Sequence, residues 1–395
     1  MGIPYYVASL LRRHRDIQTR YTTFECDVLG IDFNCFIHKV LEDSDPIGSV
    51  VRGLRAYLER ISASRIYIAF DGLVPYAKIV QQRYRRFKKS DTGEFDRNQI
   101  SPGTQYMLDL ERELRLQFSQ IELSGTTEHG EGEHKIFQWL QRLDPSDRTR
   151  IAIYGLDADL VLIALAQCNL GSIFLLREDD AFSIAGLARV LPLPVDAYVR
   201  KCILCFGNDF MPTLAMFSLR EDGHARAMNT TLEKAAGLEA RVLVERKAVQ
   251  TPHALEARHA LRLDGVLDWT PVVYAFWKTY LWTLEYFTTS EVPDWCWVYP
   301  YAEAPLVQTL VDLDSPLEVS WEFPEPVFGI KDQLDFILPN RGVYPNEFYS
   351  EETETRPLWM KKYTWESDPL ISLPWDPARP LTSVTPVVLA RATLL

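Results

Sequence analysis

Asp157 and Asp159 are separated by one residue just past the apolar run 151–154 (IAIY), with Gly155 marking the turn between run and acids. Carboxylates this close repel each other and are relieved by a cation or by a proton. A D-x-D pair is also an ordinary solvated turn or helix cap, so it points to metal chemistry only where other acids join it. Two more apolar runs end in acids: 28–31 leads into Asp32, and 66–70 leads into Asp71 and Gly72. Glu131 and Glu133 stand in the stretch GEGEHK at 130–135, ahead of Ile136, Leu140 and Leu143 at helical spacing. Acids at a helix start are common first-turn residues. The glycines flanking Glu131 are not, because glycine lowers helix propensity; they imply close approach of the backbone to something bulky or charged. Asp209 follows Gly207 and reads either as a turn residue or as one more acid of the cluster.

The elements that must carry these acids follow from the same pattern. Apolar strands finishing in acids, with helical patterns between them, predict an α/β fold with a mainly parallel sheet flanked by helices, in which ligands bind outside the carboxyl ends of the strands. Ser172–Arg177 reads as a further strand, and Val195–Phe206 as a helix stopped by Gly207. Past Pro75, Lys78, Gln82, Arg85 and Arg86 fall at i, i+4, i+7 and i+8 and share one helix face. That face is either a solvated basic surface or a pocket for a compact terminal phosphate.

Composition bounds the remainder. A 395-residue chain that is 47% apolar and 12% aromatic supports a substantial core. The net charge of −12 is uneven: the first hundred residues hold 16 Lys and Arg against 12 Asp and Glu. No apolar run reaches membrane-spanning length, so no membrane partner is expected. The six cysteines are scattered among apolar neighbours as reduced thiols, and Cys202 and Cys205 read as part of a buried helix rather than a zinc site. Residues 218–263 fit surface helices or a connection. Residues 270–301 read as a helix and an aromatic-dense turn in which Trp295, Trp297, Tyr299 and Tyr301 alternate, as core or as a platform for a base. From 304 onward the chain is punctuated by proline, and its last fifteen residues read as a docking tail.

Taken in order, Gly2-Ile3-Pro4, Asp32-Phe33-Asn34, the segment from Asp71-Gly72 through Pro75, Lys78 and Gln82 to Arg85-Arg86-Phe87, Pro102-Gly103-Thr104, GEGEHK, GLDADL at 155–160 and GNDFMP at 207–212 resemble the 5′→3′ exoribonucleases of the Xrn/Rat family. The resemblance is dense over about residues 2–217 and returns in WCWVYPYAEAPL, DQLDFILP and YPNEF within 271–395. It implies a PIN/FEN-like nuclease core at 1–222, a connecting or insert segment at 223–269, and a mostly helical second region at 270–395 that packs on the core and completes the substrate channel. In extent the resemblance looks like a minimal catalytic core, of a size expected of a compact or viral genome.

The resemblance further implies that Asp32, Asp71, Glu131, Glu133, Asp157, Asp159 and Asp209 are catalytic and hold two Mg²⁺ or Mn²⁺ ions. Oxygen donors without His or Cys favour those cations. Lys78, Gln82, Arg85 and Arg86 fall on the family's 5′-phosphate pocket, and His38 with Trp297, or Trp295 in its place, on the pair that stacks on the terminal base. The implied activity is metal-dependent 5′→3′ hydrolysis of single-stranded, 5′-monophosphorylated RNA to nucleoside 5′-monophosphates, by a monomer in the cytoplasm or nucleus, downstream of a decapping activity. Tyr5-Tyr6 and Cys35 depart from the family pattern without removing an acid. Two other readings are a flap-type DNA nuclease, against which no G-x-G helix-hairpin-helix stretch follows the last acid, and a non-catalytic RNA-binding scaffold, against which all seven acids are retained.

Overall fold

The computed structural model describes residues 2–3, 5–79, 81–82, 95–219, 222–245, 268–301, 304–313 and 318–338. Strands β1 (Gln18–Arg20), β2 (Phe24–Asp32), β3 (Ile61–Ala69), β4 (Glu122–Ser124), β5 (Arg150–Tyr154), β6 (Ser172–Arg177) and β7 (Asp180–Ser183) form one sheet in the order β1-β7-β6-β5-β2-β3-β4. The pairs from β6 through β4 are parallel, as the alternation of strands and helices requires, while β7 and β1 extend the sheet antiparallel. Starting at β2, the chain builds β3 and β4 on one side and then returns to build β5 and β6 on the other. The order therefore reverses between β2 and β5, and a crevice opens at their carboxyl ends.

Residues alternate between the two faces of each strand, and helices cover both faces. Ile151 and Ile153 of β5 join Val28, Ile136, Leu140 and Ile163 in one core, while Ala152 and Tyr154 join Leu29, Ile31, Phe36 and Leu110 in the other. Four helices with N-terminal acids or basic residues abut the crevice: Phe33–Val40, the stretch that starts at 76, Gly132–Arg142 and Leu160–Ala166. The helix Val195–Phe206 ends at Gly207, whose φ of +65 suits glycine, as its sequence position suggests.

The strands β1, β4 and β7 were not legible in the sequence, being three or four residues long with no clear apolar alternation. The segment read as surface helices or a connection contributes more to packing than expected, since Ala227, Met228 and Ala235 are buried in the first core. Among its described residues the second region has helices Thr270–Thr289, Val307–Asp312 and Ile330–Ile337, joined by non-helical stretches such as 290–301 and 318–329. No helix among the described residues is long and apolar enough to cross a membrane. The final fifteen residues and the YPNEF stretch lie outside the described residues.

The helix that carries Glu133 lies tightly on β2 because Gly30 has no side chain. A Cβ at Gly30 would sit 2.5 Å from Ile136 Cγ2. Gly30→Ala is expected to push this helix off the sheet and to cost about 1–3 kcal/mol in denaturant unfolding; unchanged stability would show that the contact yields freely.

Candidate active site

Each acid is delivered by a strand end or a helix start. Asp32 ends β2 and is the N-cap of Phe33–Val40, its carboxylate accepting from Cys35 N–H at 3.4 Å. Asp71 follows β3, and its backbone N–H donates to Asn34 Oδ1 at 3.1 Å. Just beyond it, Gly72 N–H donates to Gly130 O at 3.0 Å and Gly130 N–H to Leu73 O at 2.7 Å, so the chain after β3 runs beside the chain that enters Glu131. Gln333, from the second region, fastens the same turn by donating to Gly72 O and accepting from Val74 N–H. Lys135 is buried beneath it, donating to Phe70 O and Gly125 O at 2.9 Å each.

Of the glycines of GEGEHK, Gly132 is explained by close approach to charge, as expected, and Gly130 by its backbone conformation. Gly130 has φ +106, and Gly132 packs so closely that an added Cβ would lie 3.0 Å from Ala69 O and 3.1 Å from Asp32 Oδ1. Gly132 N–H donates to Asp71 Oδ1 at 2.8 Å, using a free helix-start donor to hold that carboxylate. Asp159, past β5, caps Leu160–Ala166. Gly2, with φ +41, lies against it, since a Cβ there would fall 2.5 Å from the Asp159 carboxyl.

The charges of all seven acids act on one another, Asp157 on Asp32 and Asp159, and Asp209 on Asp159 and Glu131. One oxygen from each of Asp32, Asp71 and Glu133 lies within 4.8 Å of the other two. Burial, then the charges of Asp71 and Asp157, hold the Asp32 carboxyl up at about 8. Burial, then Asp157 and Asp209, hold Asp159 up at about 7. Glu133 is pushed well above the carboxylate range by burial, Glu131 and Asp32. Glu131 is also raised, by burial and by Asp71 and Asp209, against the pull of Lys78. The donor set is all oxygen, without His or Cys, and its mutual repulsion is what a hard divalent cation relieves; the residues therefore fit Mg²⁺ or Mn²⁺.

Lys78 was read on the phosphate face, and in this structure its ammonium stands among the acids, 2.6 Å from Glu131 Oε2 and 2.8 Å from Asp209 Oδ2. Both partners are buried: Lys78 is 7% and Glu131 2% exposed. Burial alone would lower its pKa, but Asp209, Glu131, Glu133 and Asp159 together drive it up, so the ammonium stays charged. Gln82, one turn on, is buried and its Oε1 has no hydrogen-bond partner. Arg85 and Arg86 lie outside the described residues.

Of the stacking residues, His38 is exposed in the last turn of the helix that Asp32 caps. Trp297 is half-buried, donates to Thr279 Oγ1 at 3.0 Å and carries Lys278 Nζ 4.4 Å from its ring centre. Trp295 is buried, edge-on to His129 at 5.5 Å. Sequence reasoning missed Tyr286, whose hydroxyl donates to Glu131 Oε1 at 3.1 Å, and His134, whose ring stacks on Tyr286 at 3.6 Å. Nothing local distinguishes Tyr286 from the other aromatics of its helix.

Residues 1–94 and 88–179 match the family described as XRN 5′-3′ exonuclease N-terminus. Residues 1–179 are thus similar to the N-terminal part of the XRN exonucleases. The chain is 32% identical over 204 residues to 5′-3′ exoribonuclease 1 of Saccharomyces cerevisiae, covering 40% of this chain and 13% of that protein. It is 29% identical over 239 residues to human 5′-3′ exoribonuclease 1, covering 48% and 14% respectively. Against 5′-3′ exoribonuclease 2 of Schizosaccharomyces pombe the identity is 30% over 213 residues, covering 40% and 21%. The chain thus spans less than a quarter of each of these relatives. Among solved structures, the catalytic core of Rad2 in complex with DNA substrate is 17% identical with a TM-score of 0.43, covering 72% of this chain and 86% of that one. Six of the seven acids, Asp32, Asp71, Glu131, Glu133, Asp157 and Asp159, lie within the XRN-matched residues, whereas Asp209 and Tyr286 lie beyond them.

The raised carboxyls set a pH signature. A carboxyl whose folded pKa exceeds its unfolded value stabilises the fold below the unfolded pKa, and that contribution is lost as pH rises through the folded value, here about 7 for Asp159 and about 8 for Asp32. His134 and His224, both pushed down by burial, titrate in the opposite sense at lower pH, so the increment that a metal adds is the cleaner readout. The rise in melting temperature on adding millimolar Mg²⁺ to EDTA-treated protein is expected to grow from about pH 6 to about pH 8. An increment that is flat or shrinks over that window would separate the cation from these acids.

Proposed function

We propose that this chain is a metal-dependent 5′→3′ exoribonuclease that acts on single-stranded RNA bearing a 5′-monophosphate and releases nucleoside 5′-monophosphates. The observation that carries the reading is the meeting of a buried ammonium with the acid cluster, Lys78 Nζ at 2.6 and 2.8 Å from Glu131 and Asp209. A terminal-phosphate pocket built on the Lys78 helix then abuts the site of hydrolysis, which limits each cut to the first nucleotide. The XRN match and the names of the relatives support the same activity.

Asp32, Asp71, Glu131, Glu133, Asp157, Asp159 and Asp209 would hold two Mg²⁺ or Mn²⁺ ions. Bound there, the ions would supply Lewis acidity to activate water and to stabilise the leaving 3′-oxygen. Lys78 and Gln82, with Arg85 and Arg86, would hold the 5′-phosphate and fix the register of the strand. A monophosphate would offer Arg85 and Arg86 an anion that a hydroxyl end lacks, beside a Lys78 that Glu131 and Asp209 already pair, and a triphosphate or cap is too large. His38 and Trp297 would sandwich the terminal base, and because stacking does not read base edges, degradation would tolerate any sequence. Removal of a cap is the class of reaction that supplies such 5′-monophosphate ends.

The test is decay of one labelled RNA carrying a 5′-monophosphate, triphosphate or hydroxyl, with Mg²⁺ present. The monophosphate is expected to decay on the order of a hundredfold faster than the hydroxyl, equivalent to roughly 3 kcal/mol of charge pairing. Equal decay of all three ends, or full activity in Asp157→Ala, would overturn the reading.

A further inference from the structure

The helix Thr270–Thr289 lies outside the XRN-matched residues, yet it is fastened to two of the helices whose starts carry acids. Gln138 of Gly132–Arg142 donates to Ser290 O at 2.8 Å, and Gln141 of the same helix donates to Thr289 O at 3.0 Å. Gln167, the C-cap of Leu160–Ala166, donates to Phe287 O at 3.1 Å and to Ser290 Oγ at 2.8 Å. These four bonds fix the end of the long helix relative to the elements that bear Glu131, Glu133 and Asp159. One turn before the clamp stands Tyr286, fully buried.

The Tyr286 ring touches the flanks of three acids. It stacks on His134, next to Glu133, at 3.6 Å and 16°, and meets Phe210, next to Asp209, edge-on at 5.8 Å. Its hydroxyl donates to Glu131 Oε1 at 3.1 Å, while Lys78 takes Oε2. The carboxylate is thereby held from both ends, in an orientation that leaves Oε2 facing the cluster. Asp71 and Asp209 repel the Glu131 carboxylate, and the phenol supplies a fixed donor that holds it in place beside them.

We propose that Tyr286 is a positioning residue of the metal centre: its phenol fixes Glu131 for cation binding and makes the Thr270–Thr289 helix part of the active site. The proposal rests on the reading of the acid cluster as a metal centre. Residues that orient a ligand typically change metal affinity by about 10- to 100-fold when removed.

The experiment is calorimetric titration of the full chain with Mn²⁺, in wild type, Tyr286→Phe, Glu131→Gln and the double variant, with thermal unfolding of each. Tyr286→Phe keeps the ring and its stacking, so it is expected to melt near wild type while binding Mn²⁺ about 10- to 100-fold more weakly. In the Glu131→Gln background the same change is expected to add no further loss. Wild-type Mn²⁺ affinity in Tyr286→Phe, whatever its melting temperature, would assign the phenol to stability alone and overturn the proposal, as would equal losses in both backgrounds. A wild-type chain that binds no Mn²⁺ would overturn the metal-centre reading itself.

Discussion

Buried carboxylates crowd one another, with Glu131, Glu133, Asp159 and Asp209 also facing the Lys78 ammonium, and their mutual repulsion is the constraint that the rest of the fold accommodates. Lys78 neutralises part of that charge through Glu131 and Asp209. It does not neutralise all of it: Asp32, Asp159, Glu131 and Glu133 all have raised pKa values, with burial and neighbouring acids as the causes. Such a cluster destabilises a protein that has no use for it. The fold keeps the cluster together by giving carboxylates backbone donors, as Cys35 N–H does for Asp32, Gly132 N–H for Asp71 and Leu160 N–H for Asp159.

The doubly wound sheet explains why the acids converge without strain over long distances in sequence. Strands β2 and β5 flank the point at which strand order reverses, so a residue at the end of either opens onto the same crevice. The remaining acids are brought in by turns that need glycine. Gly72 has no room for a side chain, because a Cβ would overlap Glu128 O, and Gly132 must lie against Asp32 and Asp71. The second region then closes the site from outside, through Gln333 at the turn after Asp71 and through the long helix that ends at Ser290.

Much of this was legible in the sequence because it is written locally. An apolar run that ends in an acid identifies a buried strand and its exposed tip within a few residues, and that pattern located Asp32, Asp71 and Asp157. The glycines around Glu131 were informative for a similar reason, since they contradict the helix that follows them. Long-range pairings left no such trace. The Lys78 spacing defines a helix face but not what faces it, and one of the two acids on its ammonium, Asp209, is 131 residues away. Tyr286 sits 155 residues from Glu131, in a helix where any of several aromatics could have met the site. The short strands β1, β4 and β7 are held by neighbours in the sheet rather than by their own pattern.

The central claim is that the carboxylates converge to bind divalent cations, and anomalous diffraction from crystals soaked in Mn²⁺ tests it most directly. The account predicts anomalous density bounded by the carboxylates of Asp32, Asp71 and Glu133, whose oxygens already lie within 4.8 Å of one another. Crystals soaked in millimolar Mn²⁺ near neutral pH, with no anomalous density at those three side chains, would contradict it.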